Sequence, residues 1–480
     1  AIDVACKELV AGTSDMVLAG GADLHNGVND FLLFSSVHAL SPSGQCRTFD
    51  AAADGITLGE GVGCLVLKRV ADAERDGDRI YGVLRGMAAS SDGRHLGLTA
   101  PRKEGQRLAL ERAYAQAGVS PADVGLIEAH GTGTVVGDRT ELATLTEFFG
   151  EADATPRATS LGSVKSQIGH TKCAAGVAGL IKATEAVYRG VRPPTLNIEQ
   201  PTDYYDPGSS PFRFDDAARP WADHDRVAGV SAFGFGGTNF HAVVSSYGGA
   251  PTPAHGLDEW PSELFVFRGA DRAAATAAID AVAAAVPSER RPTEPVHLRD
   301  IAAAAAERAA SAAATGAPVQ VVVVADGVDD LVAKLDVART FTADKSGVFV
   351  ADAALASESA GASADDNAGA ARGKVAFLFP GQGSQRPGML RDLFVAFPRL
   401  QRHLRPPQGP ERPLGAGSGP ERPLGAGSGP ERPLGAGRWA DVMFPPAAHT
   451  KDEATAQKDA ITDTRVAQPT LGIAGVAVHD

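Results

Sequence analysis

Cysteine is scarce: Cys6, Cys46, Cys64 and Cys173 are the only four in 480 residues, and no two sit in a C-x-x-C or other paired spacing. A disulfide framework is excluded, and free thiols in a reducing cytoplasm are expected. Basic residues are outnumbered, 45 Lys and Arg against 58 Asp and Glu, for a net charge of −13. Nucleic acid and anionic membrane are therefore excluded as dominant partners, since both require a basic face. No apolar run reaches the ~18 residues of a membrane span, and no charged-then-apolar leader opens the chain. The first residue is Ala1, and Ile2, Cys6, Leu9 and Val10 already follow helical spacing, so the sequence reads as a fragment that opens within a helix. What is present is globular: 44% hydrophobic and 21% charged residues, with 55 Gly and 31 Pro in looser connectors. The length suits about three units.

Residues 1–247 alternate strand-like runs with helical periods, which predicts a layered α/β domain. The runs are MVLAGGA (16–22), GCLVLKRV (63–70), GLIEAH (125–130) and VAGVSAFGF (227–235). Helices are predicted to stop at Gly118, Gly150 and Gly190. After the Gly/Pro break at 248–256, further runs up to SGVFVAD (346–352) predict a small connecting α/β unit, 248–353. Residues 354–374 are small and polar, as a flexible linker is. A third unit, 375–480, opens with VAFLFPGQGSQ and is interrupted at 409–438 by a ten-residue repeat, GPERPLGAGS twice and then GPERPLGAGR. One Leu per copy cannot build a packed solenoid, so a disordered insertion is expected.

Three segments could carry chemistry. GLIEAHGTGTVVGDRTEL (125–142) reads as a strand ending at His130, a tight glycine loop offering the Thr132 and Thr134 hydroxyls, and a helix reciprocally capped by Asp138 and Glu141. A histidine beside glycines can approach a ligand closely, although one that merely fills a loop is as common. SLGSVKSQIGHTKCAAGVAGL (160–180) places His170 at a helix start, where the imidazolium is disfavoured and a neutral ring can donate a hydrogen bond. Two neutral histidines facing a thioester carbonyl would stabilise an enolate without any metal. A zinc site of His130, His170 and Cys173 fails on spacing. GVSAFGFGGTNFHAVV (229–244) is a glycine turn between two strands, which differs from phosphate loops that precede a helix.

Together EAHGTGT (128–134), SVKSQIGHTKCAAG (163–176) and SAFGFGGTNFHAVV (231–244) resemble the C-terminal part of a type I beta-ketoacyl synthase, the condensing domain of polyketide and fatty acid synthases. GGADLHN (20–26), LSPSGQCRTFDAAADGITLGEGVG (40–63), LTAPRKEGQ (98–106) and RPPTLN (192–197) extend the resemblance over 1–247. Its flavour is that of iterative polyunsaturated-fatty-acid or glycolipid synthases. The resemblance implies a thiolase-like fold and decarboxylative Claisen condensation of a malonyl-type extender, ultimately malonyl-CoA, with an acyl thioester. It implies His130 and His170 as catalytic residues supported by Lys165, Thr132 and Thr134 on the phosphopantetheine arm of an acyl carrier protein, and Phe233 as a pocket gate. A homodimer is implied for the full-length parent.

The sequence departs from the family at the nucleophile, a Cys in an Ala-Cys-Ser or Ala-Cys-Ala setting, which is expected a few residues before Ala1. Cys6 reads as a packing residue on a helix, and Cys46 and Cys64 lack the flanks. The segment 375–390 resembles the entry of an acyltransferase of α/β-hydrolase type, with the Gln382 backbone N–H facing an oxyanion. No G-x-S-x-G elbow occurs in the 480 residues. As given, the chain is expected to lack both nucleophiles and to be inactive by itself. Two other readings stand beside the enzyme fragment: a non-catalytic module that binds a carrier protein or a partner protein, and an independent thiolase-like enzyme using Cys6 or Cys173.

Overall fold

The computed structural model describes residues 1–94, 97, 100–248, 252–257, 259–286, 296–314, 317–351, 381–405 and 439–479. The expected linker at 354–374 and the decapeptide repeat lie outside them. Two units form, Ala1–Gly256 with Phe377–Asp480, and Leu257–Ala376. The first begins with α1 (Ile2–Ala11), β1 (Met16–Asp23), α2 (Val28–Ser36), β2 (Gly61–Lys68), α3 (Val70–Asp76), β3 (Val83–Ser91) and α4 (Lys103–Ala117). It continues through β4 (Leu126–Glu128), α5 (Val135–Gly150), β5 (Thr159–Gly162), α6 (Lys165–Ile168) and α7 (Ala175–Arg189). The short β6 (Val191–Arg192), β7 (Phe212–Arg213) and β8 (Arg219–Pro220) precede the hairpin of β9 (Val227–Gly234) and β10 (Thr238–Ser245).

The central sheet has six strands in the order β3-β10-β9-β4-β5-β7. β4 runs parallel to β5 and β9, whereas β10 is antiparallel to β3 and β9. Successive residues of β4 point to opposite faces, and both faces are covered, which is why the whole strand is apolar or buried. Ile127 packs with Leu110 and Tyr114 of α4 and Leu142, Leu145 and Phe149 of α5. Leu126 joins Leu180, Ala183 and Val187 of α7 on the other face, together with Ile2 and Ala5 of α1. Beyond α7 lies a two-stranded antiparallel sheet of β1 and β2. Its inner residues Val17, Leu65 and Leu67 pack on this core, while Met16, Leu18, Val62 and Val66 on its outer face are exposed.

Gly118 and Gly190 terminate α4 and α7 in the left-handed conformation, with φ of 63° and 66°. Gly150 differs from expectation: it is the last residue of α5, and Glu151 is the cap. β2 ends at Lys68, two residues before the predicted end, because Val70 begins α3. Cys6 is partly buried against the α7 core, as a packing residue is.

The second unit contains β11 (Glu263–Gly269), α8 (Arg272–Ala285), α9 (Leu298–Ala314), β12 (Val319–Ala325), α10 (Val328–Ala338) and β13 (Val348–Ala351). Its antiparallel sheet, in the order β11-β12-β13, alternates buried and exposed residues, with Phe265, Phe267, Val321 and Val323 facing Ile279, Leu331 and Leu335. Residues of the predicted third unit pack within the first: Gln401 Nε2 donates to the Gly190 carbonyl at 2.8 Å, and Arg405 Nε to that of Ala222 at 2.8 Å.

Candidate active site

Where β4 ends, the backbone turns through Gly131 and Gly133, both at positive φ, 37° and 76°. A Cβ on Gly131 would lie 2.5 Å from Thr48 Cγ2. Such a loop has no ladder partners, so its amides need acceptors. Two carboxylates of α5 supply them. Glu141 accepts from the His130 and Gly131 amides, both at 2.8 Å. Asp138 accepts from Thr132 and Gly133 through one oxygen, at 3.1 and 3.2 Å, and from the Phe49 amide through the other, at 2.8 Å. The expected reciprocal cap is therefore overturned. The helix starts at Val135 after an N-cap Thr134 that makes no side-chain cap bond, and both acids sit inside it. Four consecutive loop amides outcompeted the helix terminus for them.

Burial opposes the charge these carboxylates carry, pushing Asp138 up to about 7 and raising Glu141 as well, while the donated amides and Lys165 pull both back. Lys165, 3% exposed, opens α6 and donates to the His130 carbonyl at 2.5 Å. Burial pulls its own pKa down. A plain surface lysine is thus ruled out.

His170 follows Gly169 in the bend between α6 and α7 and is not itself helical. Its amide donates to the Thr57 carbonyl at 2.7 Å, and its carbonyl accepts from Gly59 at 3.1 Å. Nδ1 accepts from the Lys172 amide at 3.0 Å, which leaves the ring proton on Nε2. The ring is neutral as expected, but for a different reason: burial, then Lys165 and Lys172, hold its pKa down to about 3. His130 is held well below its ordinary value by burial, Lys165 and His170.

These residues meet at one cavity of about 860 Å³. His130, Thr132, Thr134, His170 and Phe233 all line it. The two imidazoles are 5.7 Å apart between ring centroids and nearly perpendicular, and the Phe233 ring is 5.7 Å from that of His130. Thr132 and Thr134 share a 2.9 Å hydroxyl contact. Lys165 stands behind His130, outside the cavity lining. Gln382 is elsewhere, with Nε2 donating to Thr464 Oγ1 at 3.1 Å. Cys173 is exposed and reaches the cavity rim, while burial raises the Cys6 and Cys46 thiols above their ordinary value. Among the described residues no three His, Cys, Asp or Glu side chains are grouped to hold a metal, and no helix is long and apolar enough to cross a membrane. The sequence reading missed the acceptor role of Asp138 and Glu141; the signal was a glycine loop whose amides had no other acceptor in sight.

A layered α/β fold with two histidines at one cavity and a buried lysine behind one of them fits the class of condensing enzymes. Residues 1–73 match the family model of the N-terminal domain of beta-ketoacyl synthase, and residues 81–199 that of its C-terminal domain. Over residues 1–199 the chain carries the two parts of a beta-ketoacyl synthase, with its thiolase-like fold. Polyketide synthase GfsA of Streptomyces halstedii is 37% identical over 408 residues, 84% of this chain and 5% of that protein. A polyunsaturated fatty acid synthase chain of Thraustochytrium sp. is 34% identical over 415 residues, 84% of this chain and 15% of that protein. A solved ketosynthase from module 6 of the bacillaene synthase of Bacillus subtilis 168 superposes with a TM-score of 0.50 at 33% identity, covering 74% of this chain and 60% of that one. The chain thus spans a small part of the synthases it matches.

Proposed function

We propose that this cavity performs the decarboxylative step of Claisen condensation on malonyl thioesters within polyketide or fatty acid assembly. The observation that carries the reading is the pair of neutral imidazoles, 5.7 Å apart, at one cavity wall. In the step, the bond between the malonyl α-carbon and its carboxylate breaks and CO₂ leaves. The electron pair passes into the thioester as an enolate. His170 Nε2–H and a His130 N–H donate to the enolate oxygen, an arrangement whose dipoles are fixed before charge develops. The enolate carbon then attacks an acyl thioester, forming the new carbon–carbon bond and expelling a thiolate.

Lys165 anchors His130 through its carbonyl and adds to the larger effect of burial in disfavouring a proton on either ring. The hydroxyls of Thr132 and Thr134 suit the amides of a phosphopantetheine arm, which makes an acyl carrier protein the partner and malonyl-CoA the ultimate extender. Phe233 beside His130 suits a gate. The roles of Gln382 in an acyltransferase entry and of a homodimer in the longer protein belong to the same reading, as does a cytoplasmic setting for four free thiols.

Decarboxylation needs no acyl-holding thiol, so the inactivity expected from the missing nucleophiles applies to condensation, and this earlier step is tested on the chain alone. Incubated with malonyl-carrier thioester, it is expected to release CO₂ and leave acetyl-carrier. His130→Ala and His170→Ala should each lose about 10²-fold or more, as removal of an oxyanion donor does. Cys173→Ala should stay within about twofold of the parent rate, because a rim thiol plays no part in the step. Equal loss in Cys173→Ala and none in His170→Ala would overturn these roles. Carrier binding without CO₂ release would favour the binding module.

A further inference from the structure

His170 can donate to substrate only if its proton stays on Nε2, and that depends on the Lys172 amide reaching Nδ1. Lys172 has φ of 44°, in the left-handed region that a residue with a long side chain rarely adopts. Something outside the turn must hold it there. The Lys172 ammonium is bound by the Asp23 carboxylate at 2.9 Å and by the Asn26 side-chain oxygen. Asp23 stands at the end of β1, and its contact with Lys172 chiefly holds its carboxyl below the usual range. Gly21 lets β1 run this close, since a Cβ there would lie 2.6 Å from the Cys173 carbonyl.

We infer that Asp23 is a positioning residue for His170: by gripping the ammonium of Lys172, it holds the left-handed backbone whose N–H fixes the imidazole tautomer. A residue released from that grip relaxes toward ordinary φ, its N–H swings off Nδ1, and the ring is free to carry its proton on either nitrogen. Asn26 shares the ammonium but, being neutral, makes the weaker contact. The pair is an ion pair with both members mostly shielded, so its grip is stronger than that of a surface salt bridge. Its importance for catalysis rests on the reading of His170 as a donor to the thioester; the tautomer lock itself does not.

The test is a double-mutant cycle read by two-bond ¹H–¹⁵N spectra of the whole chain labelled with ¹⁵N-histidine at pH 7. In the parent chain, His170 should show protonated Nε2 and bare Nδ1. In Asp23→Ala the ratio of the two tautomers should fall about fivefold to tenfold, the effect of losing one hydrogen bond. Lys172→Gly removes the strain, because glycine takes positive φ without help. The lock should therefore persist in Lys172→Gly, and Asp23→Ala added to it should change nothing further. An unchanged ratio in Asp23→Ala overturns the inference, as does an equal fall in the glycine background, which would mean that Asp23 acts by general destabilisation. The buried His241 ring in the same spectra separates loss of fold from loss of the lock. Because the readout is a ring tautomer, the lock can fail while CO₂ release survives, and the reverse.

Discussion

Lys165 donates its ammonium proton to the backbone carbonyl of His130, 2.5 Å away, and so touches the glycine loop without lining the cavity. The contact fixes the loop from below while α5 fixes it from the side. It also sets Lys165 near both imidazoles, where it adds to the larger effect of burial in holding their pKa values down.

Lys165→Met should therefore raise the pKa of both His130 and His170, since removing a nearby cation favours the imidazolium. Histidine titrations followed by NMR would show the shift. Unmoved rings would mean that burial alone keeps them neutral.

Asp138 receives three amides, those of Phe49, Thr132 and Gly133. Asp138→Ala leaves all three buried N–H groups without an acceptor, at about 1–3 kcal/mol each. A loss of at least about 3 kcal/mol in urea melts is expected. Asp138→Asn, which keeps one acceptor oxygen, should lose less.

Acid sensitivity has a defined window. His170 and His241 have pKa values lowered to about 3, below the ordinary 6.5, so the unfolded chain binds their protons first as pH falls. Their contribution to stability is present above pH 6.5 and is lost on descent toward 3, by about 1.4 kcal/mol per pH unit for each ring. Asp138, raised to about 7, acts in the opposite sense: its contribution is present below its unfolded value near 3.8 and is lost as pH rises through 7. His170→Asn should remove one histidine's share of the slope between pH 6.5 and 3. Urea melts at several pH values measure it, and an unaltered slope would count against a neutral buried His170.

The outer face of the β1–β2 sheet exposes Met16 at 54%, Leu18 at 69%, Val62 at 66% and Val66 at 64%. Contiguous apolar surface of this kind associates. Leu18→Lys with Val66→Lys should reduce dye binding and self-association of this chain, measured by ANS fluorescence and analytical ultracentrifugation, with the melting temperature little changed.

Much of this was readable in the sequence because it is local. The apolar runs became strands within two residues of their expected bounds, and Gly118 and Gly190 became left-handed caps. The histidines, the threonine pair and Phe233, each singled out by its motif, line one cavity. What stayed hidden is non-local. No pattern along the chain tells that β3 will pair with β10, or that Asp23 will meet Lys172. An Asp and a Glu spaced by three near a helix start fit a cap as well as they fit acceptors for a neighbouring loop. Only the path of residues 130–133 decides between these.

That path also divides the cavity into a side held by carboxylates and a side built on a glycine hairpin. Amides 130–133 are all claimed by a single helix whose Leu142, Leu145 and Phe149 are packed in the core, so their hydrogen exchange has no local route and follows the detachment of α5 as a whole. Opposite them, the hairpin between β9 and β10 turns through Gly236 and Gly237 with Phe235 exposed beside it. Of the two rings whose centroids lie 5.7 Å apart there, His130 belongs to the carboxylate-held loop and Phe233 to the strand that leads into the glycine turn.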